Sequence, residues 1–98
     1  MMNYEKIVRA LIDPIVEEPK SVLIRVIEDE NGKDVNILVA AEKEDTARLI
    51  GRHGIIANSL REVLSVAGKS ENRRIFLKFE SFDEEKEINP LFYNLWNT

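Results

Sequence analysis

Tyr4, Ile7, Val8, Leu11, Ile12 and Ile15 recur three and four residues apart, the apolar stripe of an amphipathic helix. Pro14 is expected to disturb the last turn of that helix, and Pro19 to close the segment. The pattern then changes period. Val22, Ile24 and Val26 alternate with Leu23, Arg25 and Ile27, which predicts a strand that is fairly apolar on both faces. Asn31-Gly32 is a strong hairpin signal, because both residues tolerate the left-handed backbone that a tight two-residue turn demands. The return strand runs from Val35 to Ala41, with Val35, Ile37 and Val39 on one face. A short helix follows, with Glu44 and Asp45 in its first turn, where acidic groups suit the helix dipole, and it stops at Gly51. The next helix is expected to bury Ile56, Leu60, Val63, Leu64 and Ala67, with Gly68 as its C-terminal cap. Arg74 to Phe79 forms the last strand, with Ile75, Leu77 and Phe79 toward one face.

The predicted order is helix, strand, strand, helix, helix, strand. A hairpin makes the first two strands antiparallel, and a right-handed helical crossover makes the second and third parallel. The fold class is therefore α+β, a three-stranded mixed sheet with helices on one face. Residues 1–80 make one domain. Residues 81–98 form a C-terminal extension: an acidic connector, Ser81 to Glu87, then an apolar and aromatic segment. Phe92, Tyr93 and Trp96 place three of the chain's seven aromatic residues there. Disordered tails are poor in such groups, so residues 88–96 are expected to dock on their own domain or on a second copy.

Composition narrows the function. Ninety-eight residues, 44% of them hydrophobic and 33% charged, describe a soluble single domain without room for a large internal active-site cavity. No apolar run approaches the ~20 residues of a membrane span, and the N-terminus lacks a signal-peptide stretch. The absence of cysteine removes disulfides and thiol chemistry, so the expected compartment is the cytoplasm. The net charge is −4, but its distribution is uneven. Residues 1–42 hold 5 basic and 9 acidic side chains, residues 43–80 hold 8 and 5, and residues 81–98 hold 1 and 4. The one positive segment contains Gly51-Arg52-His53-Gly54.

Two glycines three apart let the backbone turn sharply and approach another molecule with no side chain between. The second glycine opens a helix, whose first N–H groups lack intrahelical partners and can meet an anion. Arg52 and His53 add donors. Together these features can hold a sugar-phosphate backbone. Ile50-Gly51-Arg52-His53-Gly54 followed by Ile56, Ala57 and Leu60 resembles the KH domain, whose G-x-x-G loop clamps a four-nucleotide stretch of single strand. Residues 4 to 80 most resemble the small bacterial proteins of one type II KH domain, the KhpA type. The resemblance implies an RNA chaperone or post-transcriptional regulator. It also implies a homodimer, or a heterodimer with a larger KH-containing partner of the KhpB type, linked to cell-envelope homeostasis and cell shape.

The residues expected to contact RNA are Gly51, Arg52, His53, Gly54 and Ile55, with Arg48 and Arg61 flanking the loop. Ile50 is read as core support and Ile55 as the rim of a base-binding groove. Leu38, Val39 and Leu49 suit either role. Members of the resembled family often carry a basic residue directly after the second glycine and another three positions later. Ile55 and Asn58 stand there in this chain, which points to weaker, less salt-dependent binding. No cofactor or metal is expected, since His53 is the only histidine. It also lacks the constellation of a hydrolase, and the loop has no Lys-Ser/Thr ending for a nucleotide P-loop, so the chain is not read as an enzyme. The rival reading is a protein-interaction adapter on the same scaffold, favoured by the negative net charge and the apolar tail.

Overall fold

The computed structural model describes residues 2–82; the expected docking of residues 88–96 lies outside them. Helix α1 (Tyr4–Ile12) leads through a one-turn 3₁₀ helix (Pro19–Ser21) into strand β1 (Leu23–Glu28). Strand β2 (Asp34–Ala41), helix α2 (Lys43–Ile50), a 3₁₀ turn (Arg52–Gly54), helix α3 (Ile55–Ser70) and strand β3 (Arg74–Ser81) follow. The sheet order is β1-β2-β3, antiparallel then parallel, in agreement with the predicted mixed sheet. Asn3 starts α1 by accepting the Lys6 N–H at 3.1 Å. The helix ends at Ile12, just before Pro14, as the lack of a proline N–H requires.

One face of the sheet holds the core. Val35, Ile37, Val39 and Ala41 of β2 alternate inward with period two and are almost wholly buried. They meet Val8 and Ile12 of α1, Leu49 of α2, Leu60 and Leu64 of α3, and Leu77 of β3. Burying each large aliphatic side chain contributes roughly 1.5–3 kcal/mol, so this contiguous cluster carries the fold. The opposite face, with Leu23, Arg25 and Ile27 of β1 and Phe76 and Lys78 of β3, is exposed.

Several expectations change in three dimensions. Val63 is exposed rather than buried, because α3 turns Ile56, Ala57, Leu60, Leu64, Ala67 and Gly68 toward the sheet. Gly68 is not a cap. It lies inside α3, where an added Cβ would sit 2.6 Å from Ile75 Cγ1 and 2.7 Å from the Arg73 carbonyl oxygen, so the glycine lets helix and strand close up. Asn72, at φ +60°, makes the left-handed turn into β3 instead.

Asp45 does more than complement a dipole. Its buried carboxylate accepts the Glu17 N–H at 2.9 Å, the Glu18 N–H at 3.0 Å and an Arg48 guanidinium N–H at 2.8 Å. The Glu17 amide leads in holding this carboxyl below its usual range; burial opposes it, and the Glu18 amide and Arg48 reinforce it. Arg9 secures the other end of the same connection, donating to the carbonyls of Pro19 and Val22. The link between α1 and β1 is thereby fastened to the start of α2, which leads into the glycine loop.

Candidate nucleic-acid interface

The loop is shaped by backbone conformations that its residue types make possible. Gly51 has φ 75° and ψ 175°, a region that is essentially open to glycine alone. Its space is as restricted as its torsions. A Cβ there would lie 2.4 Å from Ile56 Cγ1 and 3.1 Å from the Ile56 backbone nitrogen. Gly54 has φ 77° and ψ 15°, in the left-handed helical region, and a Cβ would meet only Asn58 Nδ2 at 3.8 Å. His53 shares that region at φ 58° and ψ 22°, at a cost of about 1–2 kcal/mol for a side chain with a Cβ. The chain thus reverses between α2 and α3 through left-handed residues and throws Arg52 and His53 outward.

Gly51 N–H donates to the Ala47 carbonyl at 2.9 Å, closing α2. The Gly54 N–H donates to the Gly51 carbonyl at 3.2 Å, and the Ile55 N–H to the Arg52 carbonyl. The amides of Gly54 and Ile55 are therefore engaged within the loop, while the Arg52 and His53 side chains project from it. Both side chains are exposed and border an open depression of about 470 Å³ with Ile55, Asn58, Ser59 and Glu62. The depression is shallow, suited to a strand laid across it rather than to an enclosed small molecule.

Of the five consecutive residues Gly51 to Ile55, Arg52, His53 and Ile55 line the depression, and the two glycines shape the turn beside it. Arg48 and Arg61 do not join them in the depression. Arg48 faces the α1–β1 connection, paired with Asp45 at 2.8 Å and Glu17 at 3.0 Å. Arg61 lies against β3: its Nε donates to the Leu77 carbonyl at 3.2 Å, a terminal N–H donates to Asn58 Oδ1 at 3.2 Å, and its guanidinium carbon lies 6.0 Å from the Phe79 ring centre. Ile50 is not core support; it is exposed beside the loop, while its neighbour Leu49 fills the core. Val39 is core and Leu38 lies on the open sheet face. Ser59 and Glu62 were not singled out from the sequence, and Asn58 was noted there only for its lack of positive charge. Their spacing from Ile55, at three, four and seven residues, is the signal that sets them on one helical face with the loop. Among the described residues, no group of three metal-binding side chains occurs and no helix is long and apolar enough to cross a membrane.

Helix–strand–strand–helix–helix–strand, with a G-x-x-G turn between the last two helices, is the architecture of a type II KH domain. The chain belongs to the KhpA/KhpB KH domain family, whose pattern matches residues 5–79. It is similar to the RNA-binding protein KhpA of Bacillus subtilis, with 29% identity over 83% of this chain and 95% of the relative. It is also similar to RNA-binding protein KhpA of Listeria monocytogenes, with 27% identity over 76% of this chain and 95% of that protein. A third relative of the same name, from Borreliella burgdorferi, is 28% identical over 78% of this chain and 90% of its own length. No solved structure matches the chain.

Proposed function

We propose that this chain binds short stretches of single-stranded RNA and clamps the sugar-phosphate backbone at Gly51-Arg52-His53-Gly54. The observation that carries the reading is the conformation at Gly51, restricted to glycine and backed by Ile56, in a loop that presents an arginine and a histidine to solvent. Membership of a KH family whose relatives are named RNA-binding proteins supports it. Arg52 and His53 contact phosphate, Ile55 and Ile50 offer apolar surface to bases, and the helix face of Asn58 and Ser59 borders the track. Arg48 and Arg61 contribute positive potential from the flanks, Arg48 through a guanidinium already shared with two carboxylates. The role is non-catalytic: an RNA chaperone or post-transcriptional regulator in the cytoplasm, acting as a homodimer or with a larger KhpB-type protein, in processes that govern cell shape.

Few free cations face the strand, so the salt dependence is shallow. Two to three neutralised phosphates give a log–log slope of about −1.4 to −2.1 on single strands. Titrating an unstructured RNA against salt, beside a duplex of equal length, tests the reading. The unstructured RNA binds more tightly, with that slope. Preference for the duplex, or no salt-dependent binding at all, returns the chain to the adapter reading, which the exposed Val63 and Val66 of α3 otherwise favour.

A further inference from the structure

The open face of the sheet is a feature that RNA binding leaves unused. The register assembles it in three rows: Leu23, Ala40 and Glu80; Arg25, Leu38 and Lys78; Ile27, Asn36 and Phe76. Leu23 is 62% exposed, Ile27 53% and Phe76 44%. Three large apolar side chains and Leu38 therefore share one side of a sheet whose other side is the core. Large apolar side chains gathered on one exposed face, among Arg25, Asn36, Lys78 and Glu80, mark a contact surface.

We infer that residues 88–96 of the same chain cover this face, held by the acidic connector before them. The chain leaves β3 at Ser81, beside the first of the three rows, so the extension starts at the edge of the surface it is to cover. The connector Asp83 to Glu87 is five residues, which reach at most about 17 Å and suffice to turn back over the sheet end. Beyond it, Ile88, Leu91, Phe92, Leu95 and Trp96 recur at three- and four-residue spacings, one apolar face in helical register. Nine residues in that form span about 13.5 Å. The target matches: rows 76 to 80 of β3 cover about 13 Å along the strand, and the three strands about 10 Å across.

Charge agrees with this placement. The connector holds four carboxylates and one lysine, while Arg25 and Lys78 occupy the middle row of the face, with Glu80 the opposing charge on the same side. The family pattern stops at residue 79, so the cover is an addition to the shared domain. It closes apolar surface on the side of the sheet away from the helices that carry the glycine loop, and it stands independently of RNA binding.

Trp96, the only tryptophan, reports the contact directly in the full chain. Its emission is blue-shifted at every protein concentration. In Ile27→Glu/Phe76→Glu, two outward-facing changes that leave the far-UV circular dichroism intact, it moves to the water-exposed maximum, while Val66→Glu on α3 leaves it unchanged. The chain has no cysteine, so a nitroxide attached at Lys78→Cys serves as an independent probe. It broadens the Trp96 indole signal even when labelled protein is diluted into excess unlabelled protein. Water-exposed emission in the wild type overturns the inference. So does a blue shift that appears only as concentration rises, which assigns the segment to a contact between copies. A blue shift indifferent to both the sheet variants and the nitroxide places the segment elsewhere and overturns it equally.

Discussion

Substituting the two loop glycines separately by alanine distinguishes a backbone requirement from a merely flexible turn. At Gly51, φ 75° with ψ 175° costs an L-residue of order 1–3 kcal/mol, and the new methyl must also displace Ile56, whose Cγ1 would be 2.4 Å away. Overpacking of that kind adds about 1–3 kcal/mol. Alanine recovers about 0.4–1 kcal/mol by restricting the unfolded chain, so Gly51→Ala destabilises by about 1–5.6 kcal/mol net. At Gly54 the left-handed helical backbone costs about 1–2 kcal/mol, with nothing nearer than Asn58 Nδ2 at 3.8 Å. After the same offset, Gly54→Ala loses about 0–1.6 kcal/mol. Urea denaturation of both variants measures the difference. Adding Ile56→Ala removes the 2.4 Å contact but not the 3.1 Å approach to the Ile56 nitrogen, so it relieves part of the Gly51→Ala penalty beyond additivity. Equal losses at the two glycines, or no coupling to Ile56, would mean that neither the Gly51 backbone nor its contact with Ile56 restricts the loop.

Three further outcomes follow from the packing and the titrating groups. Gly68→Ala improves helix propensity by about 1 kcal/mol yet lowers the urea midpoint, because the methyl would press on Ile75 and the Arg73 carbonyl. Asp45 has a depressed pKa, so its contribution is complete above the ordinary aspartate value of 3.8 and is lost as pH falls through its folded value. Asp45→Asn therefore shows a flatter acid limb in stability than the wild type, measured by denaturation between about pH 5 and pH 2. The Tyr4 hydroxyl is pushed up to about 12, first by burial and then by its hydrogen bond to the Glu71 carboxylate. Its contribution is complete below the ordinary tyrosine value of 10.0 and is lost as pH rises through about 12. In Tyr4→Phe the tyrosinate absorbance step near pH 12 disappears.

The order of elements and the inner face of β2 were legible in the sequence, because Val35, Ile37 and Val39 sit in a strict period of two beside an Asn-Gly turn. The glycine loop was legible for a similar reason: its spacing is local, and positive φ leaves a compositional mark. What escaped depends on partners distant in the chain. Asp45 reads as a first-turn acid until the amides of Glu17 and Glu18, nearly thirty residues earlier, are brought to it. Gly68 reads as a cap until Ile75 packs over it. Arg48 and Arg61 carry the same charge as Arg52, and only the tertiary structure shows them held by Asp45, Glu17 and the Leu77 carbonyl. Ile50 and Leu49 are neighbours on a short helix, where a rotation of 100° decides which one is core.

The proposed clamp is tested most directly by RNA affinity in Arg52→Asp/His53→Asp, measured by fluorescence anisotropy on an unstructured RNA at fixed, moderate salt. Both side chains are exposed at the loop tip, so circular dichroism and the urea midpoint stay near the wild-type values. The expected loss is about 1–3 kcal/mol in binding, roughly 5- to 150-fold in Kd, together with a shallower salt slope. Unchanged affinity in the folded double variant would contradict it.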